Sequence, residues 1–462
     1  MSSDTDPCVA AMECAQLLQF KEFLASSTPN SNSSELTSGN ELIMRHHNNG
    51  QATNCVTRSS NDTYKVTADE QRAEIVATLW KQLATKGCPP AFQLKLLHLA
   101  TEQIMNDLRY AKECEVNVED NIDSIGEVQP QYDLLKLQKF VSTQLDKLLL
   151  KLTDNAALEK LQLYADEQAL CSPTAPCKCQ PLASSPRHSA AAIKNKPRKM
   201  EDRHVCLERF GAMYELSQQH AGCRFFGVFD GHSGALSASY VTSQIPQLLA
   251  HQLQRLPAAG DDLDHVDFYR NAFETAFLQA DERFALKRIT SGTTAVCALI
   301  TGDNKQLYIA WVGDSKALLV GKRTQLQLVK PHKPESPDER RRIEISGSTV
   351  IHAQGQWRVN GILNVARSIG DYSLEAVIAE PDFVDVPLSE AHDFLVLGSD
   401  GLWDHVEESF IVDTVYECLA DAKTQLDDIP KLLLEAAKEH DSQDNITAVL
   451  VLLKPRDQIG HS

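Results

Sequence analysis

Hydrophobic residues follow two different rhythms along this chain. Between Asp69 and about Glu167 they recur every three or four positions, the spacing of one helix face. "EIVATLWKQL" sets Ile75, Leu79 and Leu83 on one side, with Val76 and Trp80 beside them. "FQLKLLHLATEQIMNDL" and "YDLLKLQKFVSTQLDKLLLKL" repeat the spacing, glycine is rare, and β-branched runs are absent. These features predict a small helical domain over residues 69–168. Its leucine stripes are read as core, and a groove for a partner helix is the lesser reading.

After residue 190 the rhythm becomes that of strands. "CRFFGVFD" is one. "GTTAVCALI", "QLYIAWVGD", "SKALLVG" and "QLQLV" follow, with "TGDN" and "GKRT" as turns, so an antiparallel meander is expected. "SPDERRRIEISG" predicts a short helix with Ser336 as N-cap, Pro337 at the first position, Glu339 completing a capping box and Gly347 as the stop. "RVNGILNVAR" carries Asn-Gly between apolar runs, a hairpin signal. "DFVDVPL", "DFLVLGSD" and "NITAVLVLL" are further strands. Helices are expected over 234–254, 267–287, Glu407–Leu419 and Ile429–His440. Single helices do not separate the strands one by one, which argues against a parallel doubly wound sheet. The expected class is α+β, a sandwich of two antiparallel sheets with helices on its outer faces.

Composition bounds the remainder. Residues 1–68 hold one candidate helix, 7–25. A Ser- and Asn-rich stretch follows that is too poor in bulky apolar groups to offset its ordering entropy, and it is read as disordered. "CSPTAPCKCQPLASSPRHS" reads as a linker, residues 169–189, between the helical domain and a mixed domain over 190–455, with a short tail at 456–462. The 462 residues carry a formal charge of −18, which speaks against non-specific nucleic-acid binding and against docking on an anionic membrane. The longest apolar runs are strand-sized, far short of the ~20 residues of a membrane span, and "MSSDTDPC" lacks the features of a secretory signal. Twelve scattered cysteines, among them a C-x5-C-x-C cluster without zinc spacing, read as reduced thiols of a cytosolic or nuclear protein.

Acids collect where strands stop. Glu201 and Asp202 lie in "KMEDRHV", Asp230 in "VFDGH", Asp314 in "WVGDS", Asp371 in "SIGDY", Asp400 in "LGSDGLWD" and Asp444 in "SQDNITAV". Singly, each is an ordinary turn residue. Together they suggest a ring on one rim, mutually repulsive unless cations occupy it. Oxygen-only ligands suit Mg2+ or Mn2+. Asp371 and Asp404 are read as turn residues. His232, directly after Asp230 and Gly231, is a general-acid candidate.

With these motifs in hand, residues of about 190–455 resemble the metal-dependent serine/threonine protein phosphatases of the PPM type, also called type 2C. "RKMEDRHV", "FFGVFDGHSG", "SGTTAV", "WVGDSKALL", "HKPESPDERRRIEISG", "RVNGILNVARSIGD", "LGSDGLWD" and "SQDNITAVLV" stand in family order. The amino-terminal region and "RKMEDRH" look most like the subgroup that dephosphorylates calmodulin-dependent and Pak-type kinases. The resemblance implies hydrolysis of phosphoserine and phosphothreonine in proteins by two Mg2+ or Mn2+ ions and an activated bridging water. It implies that Asp230 bridges both ions and that the Gly231 carbonyl binds one. Asp400 and Asp444 complete the inner shell, and Glu201 and Asp202 act directly or through water. Asp314 belongs to a looser third ion, and His232 is the acid for the leaving alcohol. Gly231 is expected to be glycine so that its own carbonyl reaches an ion.

The sequence also departs from the family. The arginine expected four positions before the first acid of "MED" is Pro197, with Arg198 one place closer as the candidate phosphate grip. "DGHSG" replaces "DGHGG" at Ser233, Lys316 stands for an arginine, and "PHKP" replaces "DHKP". Two rival readings stay open. A catalytically weak phosphoprotein-binding scaffold is favoured only by Pro197, and a metal-dependent nuclease is disfavoured by the charge. Phosphoproteins, protein kinases among them, are the expected substrates, and the helical region is a candidate site for a protein partner.

Overall fold

The structure is a computed structural model, and it describes residues 19–27, 63–109, 111–116, 130–154, 187–255, 265–322 and 324–460. Most of the Ser- and Asn-rich stretch, the linker up to residue 186 and the first part of the candidate helix at 7–25 lie outside them. Residues 19–27 are helical. The chain divides into two units, Met1–Cys177 and Lys178–Ser462. Among the described residues no helix is long and apolar enough to cross a membrane.

The first unit contains the helices Gln71–Thr85, Pro90–Leu108 and Leu134–Lys151. Ile75, Leu79 and Leu83 are fully buried, as their spacing requires. Asp133 caps the third helix by accepting from the Lys136 N–H at 2.9 Å. Phe20 stacks on Phe92 with ring centroids 4.2 Å apart.

The second unit is the expected sandwich. One sheet runs Thr324–Gln327, Lys316–Gly321, His392–Gly398, Ile446–Leu452 and His188–Ile193, all antiparallel. The other runs Asp382–Pro387, Gln306–Val312, Ala295–Ile300, Arg224–Phe229 and Arg203–Leu207, also antiparallel. Period-two alternation sorts their side chains. Ala317, Leu319, Leu395 and Leu397 face Val296, Ile309 and Trp311 between the sheets. Their neighbours Leu318, Val320, Phe394 and Val396 face the helices Glu408–Ala420 and Ile429–Glu439. On the opposite outer face the helix His265–Ala285 stacks Tyr269 on Tyr308, centroids 4.0 Å apart.

Four local expectations change. The meander is two hairpins in different sheets, because the chain crosses over at Gly313 and Asp314. Gly313 takes φ +91°, and a Cβ there would come within 2.6 Å of Thr294. The backbone of His332 closes this corner, its N–H donating to the Gly313 carbonyl at 2.9 Å. Ser336 and Pro337 do open the helix Pro337–Ile345, but no capping box forms. Glu339 instead accepts from Arg367 at 2.6 Å and from Arg342 at 2.8 Å, since two guanidinium groups outbid a backbone N–H for a buried carboxylate. Asn360 and Gly361 make a turn with both φ positive, yet it closes on a single bridge, Val359 to Leu363. The hairpin pairs Val350–Ala353 with Gln356–Val359. Finally, the linker expected to run to residue 189 stops short of it, because a strand starts at His188, where pairing with Val451 begins.

Candidate metal centre

Asp230 ends the wholly buried strand Arg224–Phe229. Its bend is pinned on both sides. The Asp230 carbonyl accepts from the Thr294 N–H at 2.9 Å and from the Thr293 hydroxyl at 3.0 Å. Gly231 follows, and its neighbours give a steric reason for glycine here besides the expected one. A Cβ there would lie 2.6 Å from the Glu201 carbonyl oxygen, so glycine is required by the backbone of the neighbouring acid segment.

The other acids are held as firmly. Asp202 is 2% exposed, and its Oδ2 accepts from Ser399 Oγ at 2.8 Å and from Thr447 Oγ1 at 2.7 Å. Its Oδ1 is buried with no hydrogen-bond partner. Ser399 leads into the one-turn helix Asp400–Trp403, and Thr447 stands three residues after Asp444. Asn445 ties Asp444 to the loop that carries Glu201. Its Oδ1 accepts from the Glu201 N–H at 2.6 Å, and its Nδ2 donates to the carbonyls of Lys194 and Lys199 at 2.7 and 3.1 Å. Asp314 is buried and paired at 2.5 Å with Lys333 Nζ.

Burial and mutual repulsion act together on this cluster. Burial pushes Asp230 well above the usual carboxylate range, and the charges of Asp202, Asp400, Asp314 and Asp444 push further. Burial, then Asp314 and Asp444, raise Asp400 to about 8. Burial raises Asp202 to about 6 against the opposing hydrogen bonds from Thr447 and Ser399. The charges of Asp202, Asp400, Asp314 and Asp444 all reach Asp230, which gathers these acids at one site. Among the described residues no three His, Cys, Asp or Glu side chains close around a single point. A hard ion such as Mg2+ keeps several waters and takes one or two carboxylates. An all-oxygen donor set, a buried carboxylate oxygen without a donor and uncompensated negative charge all fit a divalent cation of that kind.

Five of the seven predicted metal residues, Asp202, Asp230, Asp314, Asp400 and Asp444, thus interact electrostatically. Glu201 and Gly231 adjoin them through backbone. His232 sits at the edge, its Nε2 2.6 Å from Asp371 Oδ2. That contact takes Asp371 out of the ordinary turn role expected for it. Asp404 is exposed, but its charge adds to the pressure on Asp400. Arg198 is exposed, on the loop between the two carbonyls that Asn445 holds. The residues that fix the acids, namely Thr293, Thr294, Ser399, Asn445 and Thr447, went unassigned in the sequence. Each lies next to an acid or in a motif already quoted, as a small polar residue where a strand ends.

A family model described as protein phosphatase 2C matches residues 187–446. Protein phosphatase 1F of Mus musculus is 33% identical over 395 residues, 84% of this chain and 80% of that protein. Protein phosphatase 1F of Homo sapiens is 37% identical over 276 residues, 59% of this chain and 58% of that protein. A solved structure described as a C. elegans sex determining protein shares the fold, with a TM-score of 0.63, 21% identity, and coverage of 85% of this chain and 90% of that one.

Proposed function

The chain belongs to the protein phosphatase 2C family, and from that premise we propose that it hydrolyses phosphoserine and phosphothreonine in proteins at a dinuclear Mg2+ or Mn2+ centre on its acidic rim. Membership makes it a serine/threonine protein phosphatase of the PPM type. Asp230, Asp400, Asp444 and Asp202 would hold the two ions, with Glu201 and the Gly231 carbonyl beside them and Asp314 at a looser third position. When bound, such ions supply Lewis acidity, making water a nucleophile near neutral pH and offsetting the phosphoryl charge. The observation that carries this reading is the buried, unpartnered Oδ1 of Asp202 beside Asp230, whose own carboxyl is pressed by three further acids.

The chain's residues supply positioning and protons. In-line displacement at phosphorus needs orientation and charge more than covalent help. The hydrogen bonds from Ser399 and Thr447 fix Asp202, and those from Thr293 and Thr294 fix the Asp230 backbone. His232 gives a proton to the departing serine or threonine oxygen. Arg198 binds phosphoryl oxygens through charge-assisted hydrogen bonds. Phosphorylated protein kinases are the inferred substrate class, and a protein partner is inferred for the helical unit, both from the sequence resemblance. A cytosolic or nuclear location is inferred from the scattered thiols.

A second reading, a phosphoprotein-binding scaffold, rests on Pro197 and on the exposure of Arg198. Phosphate release from phosphoserine peptides with Mn2+ and with chelator separates the two. Metal-dependent turnover supports the enzyme, and tight peptide binding without turnover supports the scaffold.

A further inference from the structure

His232, Gly292 and Gly370 form one row across a three-stranded ribbon of two-residue strands. His232 pairs with Gly292, and Gly292 pairs with Gly370. The middle position must lack a side chain. A Cβ on Gly292 would lie 2.0 Å from Asp371 Oδ2 and 2.4 Å from His232 Nε2. Through that gap the imidazole and the carboxylate meet at 2.6 Å.

The carboxylate is held from several sides. The same Asp371 oxygen accepts from Ser368 Oγ at 2.6 Å, and Ser368 is 1% exposed. Asp371 itself takes φ +56°, a left-handed conformation that persists where the surroundings over-determine it. Asp281, on the helix behind, accepts from the Gly370 N–H at 2.8 Å and from the Tyr372 hydroxyl at 2.7 Å through its backbone carbonyl. An ordinary turn aspartate needs none of this.

A carboxylate can only accept, so against one His232 Nε2 is the donor of this 2.6 Å pair. Nδ1 makes no hydrogen bond among the described residues. We propose that Asp371 is a positioning residue for catalysis: it fixes the His232 ring through Nε2–H and so presents Nδ1 to the leaving oxygen. This rests on the phosphatase reading above. In the step, the bond from phosphorus to the serine or threonine oxygen breaks, and that oxygen keeps the electron pair and takes the proton from Nδ1. Water's oxygen bonds to phosphorus, water's proton goes to solvent, and His232 is reprotonated from solvent. The Nε2 hydrogen stays on the ring throughout.

The test compares a phosphoserine peptide, whose alkoxide must be protonated as it leaves, with 4-nitrophenyl phosphate, whose leaving group is stable unprotonated. Asp371→Gly suits the positive φ and removes the carboxylate, while Asp371→Asn keeps an acceptor and removes the charge. For Asp371→Gly, kcat on the peptide is expected to fall about thirtyfold or more, a large part of the ~100-fold or more that a general acid contributes, with KM little changed. On 4-nitrophenyl phosphate it is expected to fall less than about threefold, and Asp371→Asn is expected to lie between wild type and glycine on the peptide. Nitrogen-15 NMR of the metal-free chain, with His232 assigned by its loss in His232→Gln, reads the geometry without turnover. The wild-type Nε2 proton is expected to be protected from exchange, and that protection is expected to vanish in Asp371→Gly. Equal losses on both substrates, or a His232 spectrum unchanged by Asp371→Gly, overturn the inference while leaving the phosphatase reading intact. A wild-type chain that releases no phosphate from the peptide overturns both.

Discussion

The charge of Asp202, a buried carboxylate, bears directly on Asp230 and helps hold its carboxyl well above the usual carboxylate range. One oxygen of Asp202 is satisfied by Ser399 and Thr447, and the other has no donor. Two such groups share either a proton or a cation. Asp230→Asn should therefore raise the Tm of the metal-free chain, because it removes a buried, opposed charge. The same change should weaken Mn2+ binding by about 100-fold or more, beyond the effect of losing an outer-shell partner. Calorimetric melting and titration on one sample check both halves. A lower metal-free Tm with unchanged Mn2+ affinity contradicts the assignment.

The raised carboxyls give the chain a pH signature. Asp400 rises from an ordinary 3.8 to about 8 in the folded chain, so the fold binds its proton more tightly than the unfolded chain does. Its contribution to stability is full below the unfolded value and is lost as pH climbs through about 8. One pKa unit corresponds to about 1.4 kcal/mol, so melting can read the effect. The metal-free wild type should lose stability relative to Asp400→Asn between pH 5 and pH 8, and Mn2+ should reverse the loss. Parallel curves for the two proteins contradict it.

Lys333 already supplies a cation to Asp314, at 2.5 Å. Lys333→Met should leave that buried carboxylate unpaired, lowering the metal-free Tm. It should also tighten the weakest Mn2+ site, the one at Asp314, seen in water-proton relaxation. Unchanged affinity of that site together with an unchanged Tm contradicts this.

Arg198 lies on a loop anchored by Asn445 at Lys194, Lys199 and Glu201, so it is exposed on a fixed support. Arg198→Ala should raise KM for a phosphopeptide about tenfold or more while kcat changes little, the signature of lost ground-state binding. Pro197→Arg should add little. A silent Arg198→Ala with a gain from Pro197→Arg means that Arg198 does not replace the family's arginine.

Sequence patterns carried the sandwich and the acids for a physical reason. Strand alternation at Leu318 and Leu319, and acids where strands end, are properties of neighbouring residues. What stayed hidden depended on distant partners. Glu339 has capping-box spacing, but Arg367 claims it from 28 positions away. Asp371 looks like a turn residue until the ribbon brings His232 to it from 139 positions away. The crossover at Gly313 is likewise invisible locally, because either sheet offers the next strand an equally apolar place.

The most direct measurement is phosphate release from a phosphoserine peptide by the full chain across a Mn2+ titration, with chelator, Asp230→Asn and a single-stranded oligonucleotide as controls. Expected are saturable, Mn2+-dependent release by the wild type, none with chelator, loss of about 100-fold or more in Asp230→Asn, and an intact oligonucleotide. Release that survives chelator, or an Asp230→Asn protein as active as wild type at limiting Mn2+, contradicts a metal centre at the acidic rim.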